Sequence, residues 1–380
     1  MTDHPTSVPD QSLLASEIIQ QGTVLQHVLR DRIPSVVAIV RACQRMAPRT
    51  WVATGCGDSL FAGLCAEYWF ADACGQPLRA IHALEFSRYL YRTVDERGVV
   101  FALSYSGNTA RVVEAAVAAK SRGATVIGIT ANADSRLVEL SDYWLPNDAV
   151  DERSNCRTGS FQAACLLLRL FAGSLAHESG EAPSLGPLDR LPASVDQMAG
   201  ACRETVQRIV GLLPEAAPIT YIGGGYAYAT AQYGAAKLYE AATIPAHVSE
   251  LEQFVHCEIF PITRQSCVVI VAPRGASYTR AVEVAQGLRR LDAITVGLSD
   301  DPAFAGYCSH FIALPGGWTE DRMPFLAAVP LQHFALAWAL RHGENPDLVS
   351  NKAVNRPLIE QSVQYTADDY ASIEESNRRS

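Results

Sequence analysis

The stretch VVFALSYSGNT at residues 99–109 decides the fold class, because an apolar run leads directly into a turn rich in hydroxyl groups. Val99–Leu103 has the composition of a buried strand, and residues 110–120 have the apolar spacing that is typical of a helix. Gly107 permits a tight backbone path between the two. A strand, a turn and a helix in this order are the building unit of α/β proteins with parallel sheets.

The turn also has the chemistry of a phosphate-binding site. Free backbone N–H groups at the start of a helix point into the turn before it, and the helix dipole makes that end positive. Three side chains add hydroxyl donors, namely Ser104, Ser106 and Thr109. A solvated turn in which Asn108 or Thr109 caps the helix would use the same residues. The turn alone leaves both interpretations open.

A second copy of this arrangement follows in the chain. The offset from Gly57 to Gly225 equals the offset from Gly107 to Gly275, because 225 − 57 and 275 − 107 both give 168. The strands and helices around these glycines are predicted to follow in the same order. We interpret the shared offset as an internal duplication of an α/β unit, with parallel sheets covered by helices on both faces.

The second copy lacks most of the hydroxyl groups of the first turn. Three positions carry other side chains in the second copy, where Ala272, Arg274 and Ala276 replace Ser104, Ser106 and Asn108. Only Thr109 keeps a counterpart with a hydroxyl group, Ser277. One intact turn predicts one phosphate site per chain and leaves the second copy free to supply other parts of a site.

The length of 380 residues is sufficient for two domains of ordinary size. Because 48% of the residues are hydrophobic, both domains can bury a sizeable core. A segment that contains Pro183, Pro187 and Pro192 separates the two copies and is predicted to be a linker. The predicted segments are a disordered tail at 1–12, a first subdomain with leading helices at 13–180, the linker at 181–196, a second subdomain at 197–350 and a C-terminal tail at 351–380.

Charge and cysteine content limit the class of protein. The net charge of −9 disfavours binding to nucleic acid or to an anionic membrane surface. The ten cysteines are scattered without CxxC spacing, which is typical of buried thiols in a reducing compartment. We find no signal region and no apolar run that approaches about 18 residues, so we expect a cytoplasmic protein. The scattered histidines predict neither a metal site nor a cofactor.

Five motifs, in order along the chain, resemble the SIS (sugar isomerase) family. The resemblance is greatest to the isomerase half of glucosamine-6-phosphate synthases and to stand-alone aminosugar-phosphate deaminases and fructosamine-6-phosphate deglycases. It extends over about residues 13–365. The motifs are GCGDS at 55–59, SYSGNT at 104–109, ERSNCRTGSF at 152–161, AKLYE at 236–240 and ELEQFVH at 250–256.

The resemblance implies a fold and a set of functional residues. The fold would be two tandem SIS subdomains, each a parallel five-stranded sheet flanked by helices in a flavodoxin-like or Rossmann-like three-layer sandwich. Glu240 would be the base that moves a proton between C1 and C2 of an open-chain sugar. His256 would open the sugar ring in the active site of the neighbouring subunit, so that the protein is a homodimer.

The resemblance also assigns the substrate contacts. The phosphate of a phosphosugar would be held by Ser59, Ser104, Tyr105, Ser106, Asn108 and Thr109. The sugar would contact Gly57, Asp58, Glu152, Lys237 and, from the C-terminal tail, Gln361.

Chemical reasoning independently supports the two catalytic assignments. A carboxylate can hold and return the proton of an isomerisation, and histidine titrates in the range that ring opening needs. An ordinary structural role would also fit each residue type. Lys237 could pair with Glu240 or contact a substrate oxygen, and Glu152 could cap or bridge its own loop.

Several positions depart from the synthase pattern. Gln361 occupies the place of a lysine, Tyr233 that of an acid, and Cys257-Glu258 that of Gly-Pro. No glutaminase domain precedes the SIS region, so we expect no glutaminase activity. The sequence favours an aminosugar-phosphate deaminase or a deglycase. The alternatives are a phosphosugar isomerase without amine chemistry and a non-catalytic phosphosugar sensor.

Overall fold

The computed structural model describes residues 12–148, 152–177 and 186–347. Within these ranges the chain divides into two compact units, each of which contains one sheet. The first-sheet unit comprises residues 23–148, 159–177 and 186–189. The second-sheet unit comprises residues 12–22, 152–158 and 190–347.

The described ranges contain thirteen α-helices. In chain order they are α1 (Leu13–Ile18), α2 (Gln21–Asp31), α3 (Ile33–Met46), α4 (Asp58–Cys74), α5 (Ala83–Glu85), α6 (Ala110–Ser121), α7 (Arg136–Leu140), α8 (Gly159–Leu175), α9 (Leu191–Leu212), α10 (Tyr226–Ala242), α11 (Leu251–Gln253), α12 (Tyr278–Arg290) and α13 (Met323–Arg341).

The strands form two parallel five-stranded sheets. The first sheet has the order β2-β1-β3-β4-β5 and the second the order β7-β6-β8-β9-β10. The strands are β1 (Thr50–Gly55), β2 (Leu78–His82), β3 (Gly98–Leu103), β4 (Thr125–Thr130), β5 (Tyr143–Pro146), β6 (Ile219–Gly223), β7 (Ala246–Glu250), β8 (Cys267–Val271), β9 (Ile294–Ser299) and β10 (His310–Ala313).

The two sheets share one topology, which confirms the predicted fold of two parallel five-stranded sheets flanked by helices. In each sheet the first strand lies between the second and the third, and the fourth and fifth follow outward. A short π-helical segment recurs as well, at Phe86–Leu90 and at Phe254–Glu258. Its two starting points keep the offset of the paired glycines, since 254 − 86 also gives 168.

Aromatic side chains fill the core of the first-sheet unit. The rings of Phe101 on β3 and Phe171 on α8 meet edge to face, with their centroids 4.9 Å apart. Trp51 and Phe70 pack against the same pair, and all four side chains are buried. Because truncating a buried aromatic to alanine costs about 3–5 kcal/mol, this cluster fixes the helices that cover the sheet.

Helix α13 lies in the core of the second-sheet unit. Its length and apolar composition contradict the expectation that the chain has no apolar run of about 18 residues. The segment Glu320–Arg341 is long and apolar enough to cross a membrane by length and composition, although the sequence analysis found no such run. Its apolar window is 94% buried, which is the property of a core helix. Gln332 and His333 interrupt the apolar sequence, and both are buried and hydrogen-bonded.

The compact units differ from the predicted segments at the N-terminal end. Helix α1 belongs to the second-sheet unit, because the carboxylate of Asp347 accepts the backbone N–H groups of Leu13 and Leu14. Ser12, predicted to lie in the disordered tail, caps α1 by accepting the Ala15 N–H at 3.0 Å. The rest of that tail and the C-terminal tail lie outside the described residues.

The predicted linker is also too long at its C-terminal end. Helix α9 begins at Leu191, inside the predicted linker 181–196. Pro192 was interpreted as part of the linker, but it lies in the first turn of α9. A proline is tolerated there, since the first N–H groups of a helix have no partner within the helix. A short 3-10 helix, Gly186–Arg190, precedes it.

Candidate functional site

The first sheet places two of the predicted motifs at one edge. The strand order reverses between β1 and β3, because β2 lies on one side of β1 and β3–β5 on the other. The turns at 55–59 and 104–109 follow these two strands, so both begin at the carboxyl edge of the sheet. Ligands of open parallel sheets bind at such a reversal point. The topology therefore favours a ligand site beside these turns.

A network of short contacts holds the 104–109 turn in shape. The hydroxyl groups of Ser104 and Thr109 hydrogen-bond each other at 2.8 Å. The Gly107 N–H donates to the Ser104 carbonyl at 3.0 Å, and it also lies 3.1 Å from the Ser104 hydroxyl. Ser104 is buried, whereas Ser106 and Asn108 are exposed. The turn thus presents exposed polar groups on a fixed backbone.

Gly107 is required by this geometry. Its φ is +67°, which side chains of L-residues rarely adopt. A Cβ at this position would lie 2.1 Å from Oγ of Ser135 and 2.7 Å from Oγ1 of Thr130. The Thr130 hydroxyl also donates to the Tyr105 carbonyl at 3.0 Å. Ser135 and Thr130 therefore pack against the turn and help to fix its conformation. The sequence analysis did not identify either residue.

Side-chain capping of α6 does not account for the residues of this turn. Thr109 is the N-cap residue of α6, but its hydroxyl bonds Ser104 and makes no capping hydrogen bond to the helix. The side-chain oxygen of Asn108 accepts the Arg136 N–H at 3.1 Å instead. Neither side chain therefore caps α6, although the Thr109 carbonyl accepts the N–H groups of Val112 and Val113. The lack of a side-chain cap favours the phosphate interpretation.

The 55–59 turn supplies the other predicted contacts of the first-sheet unit. Gly57 has a φ of +55° and precedes α4, and Asp58 and Ser59 form the first two residues of that helix. Both side chains are half-buried. A carboxylate in the first turn of a helix is favoured by the dipole.

Lys237 and Glu240 form an ion pair at the end of α10 in the second-sheet unit. The Lys237 Nζ lies 2.6 Å from Oε2 of Glu240. The Lys237 side chain is fully buried, whereas 28% of the Glu240 side chain is exposed. The structure thus shows the pairing that was one of the two roles considered for Lys237, and its contact with a substrate stays a prediction. The carboxylate reaches solvent while a buried cation fixes its position.

The loop at 152–158 also contacts Lys237, through a backbone carbonyl. The Arg157 carbonyl accepts from Nζ of Lys237 at 3.1 Å. The Glu152 carboxylate accepts the Thr158 N–H at 2.7 Å and is buried. Glu152 therefore closes its own loop, which was one of its two predicted roles, and through that loop it supports the carbonyl that meets Lys237.

A buried polar chain that the sequence analysis missed continues from this loop. The Tyr233 hydroxyl donates to the Arg157 carbonyl at 3.0 Å and accepts from the Gln332 side-chain amide at 2.8 Å. Gln332 and Gln21 exchange two amide hydrogen bonds of 2.7 and 2.9 Å. Tyr233, Gln332 and Gln21 are all fully buried. The chain therefore links the interior of the second-sheet unit to the carbonyl beside Lys237.

His256 differs from these residues in its exposure. It lies on the π-helical segment Phe254–Glu258, and 77% of its side chain is exposed. Its Nε2 lies 3.9 Å from the Glu252 carboxylate. The ring is thus open to contact from outside the chain. Gln361 lies outside the described residues.

Comparison with known proteins identifies the family. The SIS domain model matches residues 48–173 and 212–341, which contain the two sheets. A glutamine–fructose-6-phosphate aminotransferase (isomerizing) of Aquifex aeolicus is 29% identical over 342 residues, which cover 90% of this chain and 57% of that protein. A protein of the same name from Pyrococcus horikoshii is 28% identical over 349 residues, with 90% and 57% covered. The chain thus spans just over half the length of these relatives.

Solved structures show the same fold. The C-terminal domain of glucosamine-fructose-6-phosphate aminotransferase from Francisella tularensis superposes with a TM-score of 0.80 at 20% identity, covering 90% of this chain and 99% of that one. Glucosamine-6-phosphate deaminase from Thermotoga maritima gives 0.71 at 20% identity, covering 88% and 97%. With both of its sheets inside matched segments, the chain belongs to the SIS domain family.

Proposed function

We propose that the protein is a phosphosugar enzyme that couples aldose–ketose isomerisation to amine release, acting as a deaminase on an aminosugar phosphate or as a deglycase on a fructosamine phosphate. The observation that carries the proposal is the Lys237–Glu240 pair, in which a buried cation fixes a carboxylate that is partly exposed to solvent. The name of the Thermotoga maritima relative, a glucosamine-6-phosphate deaminase, supports this reaction class.

The proposed phosphate contacts lie in the first-sheet unit. Ser104, Ser106 and Thr109 offer hydroxyl groups, and the start of α6 offers backbone N–H groups at the positive end of its dipole. Ser59 and the backbone of Tyr105 and Asn108 complete the proposed contacts. Two observations support these contacts. The strand order reverses beside the turn, and the side chains of Thr109 and Asn108 form hydrogen bonds with groups outside α6.

The proposed base, Glu240, lies in the second-sheet unit. Glu240 removes the proton from the carbon that bears the amine and returns it to the neighbouring carbon. An enolamine is the intermediate between the two steps. Lys237 holds Oε2 of the carboxylate, which leaves Oε1 for the proton. A positioned general base of this kind contributes about 10²–10⁴-fold to the rate.

Amine release then needs only water. The carbonyl oxygen gains a proton from water as the enolamine forms. Returning the proton to the adjacent carbon, with loss of the N–H proton to water, then converts the enolamine to an imine whose carbon–nitrogen double bond lies at the carbon that carries the nitrogen. Water adds to that carbon, and the carbon–nitrogen bond breaks to give a carbonyl and the free amine. No oxidant or reductant enters the balance. The proposed sugar contacts remain Gly57, Asp58, Glu152, Lys237 and Gln361.

The direct test is turnover by the purified protein. Glucosamine 6-phosphate and fructosamine 6-phosphate are incubated with the wild type, and amine release is measured, with glutamine as a substrate from which we expect no ammonia. We expect release from at least one phosphosugar and a loss of at least 100-fold in Glu240→Gln. Glu204→Gln, which changes an exposed glutamate on α9, is the matched control and should retain activity.

The same assay in deuterated water separates the alternatives. Deuterium incorporation next to the carbonyl of fructose 6-phosphate without amine release from either amino sugar would identify a simple phosphosugar isomerase. Saturable binding of phosphosugars without exchange or release would identify a sensor. Exchange or release that is unchanged in Glu240→Gln would rule out the proposed base.

The proposal includes a homodimer in which His256 reaches the site of the partner subunit. The exposure of the His256 ring supports this role, and so does the adjacent Phe260, whose side chain is among the large exposed apolar groups at 81%. Mixing inactive Glu240→Gln subunits with inactive His256→Ala subunits tests it. If the residues act across subunits, mixed dimers regain part of the activity, whereas no recovery after verified subunit exchange would contradict sharing.

A further inference from the structure

The second sheet has the same reversal point as the first. Its strand order reverses between β6 and β8, and a glycine turn follows each of these strands, at 223–225 and at 272–277. Gly225 and Gly275 correspond to Gly57 and Gly107 by their shared offset. The second copy therefore keeps the backbone layout of an anion site although it lacks most of the hydroxyl groups.

The side chain of Glu320 occupies this place. Its Oε2 accepts the Ala276 N–H at 2.9 Å. A Cβ added to Gly275 would lie 2.0 Å from the same oxygen. A Cβ added to Gly225, on the other turn, would meet Oε1 of Glu320 at 3.8 Å. One carboxylate therefore hydrogen-bonds one turn and lies beside the other at the reversal point.

A second backbone N–H group of this turn also donates to a carboxylate of the chain. The Arg274 N–H donates to Oδ1 of Asp300 at 2.7 Å, and the Arg274 guanidinium pairs with Asp301 at 2.9 Å. Ser277, the one hydroxyl that remains, donates to the Gly224 carbonyl at 3.4 Å. Carboxylates of this chain thus occupy turn N–H groups that would otherwise be available to a bound anion.

We propose that Glu320 is an internal ligand that fills the vestigial anion site of the second copy and restricts the chain to one phosphate site. A carboxylate beside a helix N-terminus is favoured by the dipole, and its negative charge repels a phosphate dianion from the same turn. Glu320 also begins the 3-10 helix Glu320–Arg322, which leads into α13. The count of one phosphate site rests on the proposed function of the 104–109 turn, whereas the closure of the second-copy turn is tested separately from the proposed reaction.

The test is anion binding by crystals of the wild type and two variants, each soaked in tungstate at the same concentration. In the wild type we expect no anion within hydrogen-bonding distance of the Ala276 N–H. Glu320→Ala should admit one there, because the turn and its N–H groups remain while the carboxylate is removed. Glu320→Gln is the matched control, since its amide oxygen can still accept from Ala276, and we expect it to stay closed.

A solution measurement repeats the comparison with phosphate itself. In the Ser104→Ala background, which weakens the first turn, adding Glu320→Ala should raise the thermal stabilisation by phosphate over that by chloride at equal ionic strength. An anion at Ala276 in the wild type would overturn the inference even if Glu320→Ala did not fold. A folded Glu320→Ala protein that gains neither tungstate at this turn nor phosphate stabilisation would overturn it as well.

Discussion

The ammonium group of Lys237 lies 2.6 Å from the carboxylate of Glu240, one turn further along α10. Residues three positions apart share one face of a helix. Because the lysine is fully buried and the glutamate is partly exposed, the pair joins the core of its unit to a carboxylate at the surface. The same geometry has consequences for stability that can be measured without a substrate.

Glu240→Gln should destabilise the fold, because it removes the carboxylate charge that pairs with the buried ammonium of Lys237. Removing one partner of a buried ion pair costs about 3–5 kcal/mol. Since Glu240 is partly solvated, we expect a loss of about 2 kcal/mol in the free energy of unfolding by urea. The double variant Lys237→Met/Glu240→Gln removes both charges and should recover most of that loss. A double variant less stable than Glu240→Gln would show that the pair is not coupled in this way.

Tyr233→Phe should weaken the support of Lys237 without touching the ion pair. The change removes the acceptor of a Gln332 N–H, and an unsatisfied buried group of this kind costs about 1–3 kcal/mol. For the proposed reaction we expect kcat to fall while KM stays unchanged, because the substrate contacts remain. Tyr228→Phe on the same helix is the control and should alter neither. An unchanged kcat in Tyr233→Phe would limit the polar chain to a structural role.

Gly107→Ala should disrupt the proposed phosphate turn. A side chain at a φ of +67° costs about 1–2 kcal/mol, and the collision with Ser135 adds to this cost. We expect the free energy of unfolding to fall by about 2 kcal/mol or more and phosphate binding to be lost. Gly200→Ala, where an added Cβ meets nothing within 4 Å, should instead stabilise α9 by about 1 kcal/mol. Equal effects of the two changes would contradict this account.

His333 makes the fold sensitive to acid. Burial lowers the pKa of His333 from 6.5 to about 4, although its Nε2 contacts the Ala199 carbonyl at 2.9 Å. Between these values the unfolded chain takes up a proton that the folded protein excludes. Stability should therefore fall by about 3 kcal/mol as the pH drops from 6.5 to 4, and this contribution is constant above 6.5. His333→Leu should lose this part of the pH dependence, as unfolding curves across this range would show. A pH dependence equal to that of the wild type would contradict the assignment.

Local patterns were sufficient to predict the sheets. The apolar strand Val99–Leu103 and the glycine that follows it define a unit, and the equal offsets of the paired glycines identified its copy. In both copies, each strand, turn and helix is formed by residues that are near one another in sequence. The boundary errors at Ser12 and Pro192 arose because a hydroxyl and a proline can begin a helix as well as mark a loop.

The contacts of the second-copy turn and of the buried polar chain could not be predicted in this way. Glu320 meets the N–H group of a residue 44 positions earlier, and Gln332 pairs with Gln21 across 311 positions. No periodicity links such residues, because their proximity is produced by the packing of α13 within its unit. The role of Glu152 was likewise open, since a loop carboxylate suits a substrate contact and a loop closure equally well.

The most direct test of the central claim is a crystal of the wild type soaked with a mixture of phosphosugars. The account predicts a phosphate group hydrogen-bonded to the 104–109 turn, with contacts to the hydroxyl groups of Ser106 and Thr109. It also predicts that Gly107→Ala crystals in the same soak hold no ligand there. A phosphosugar bound at another place in the wild type, with the 104–109 turn empty, would contradict the account.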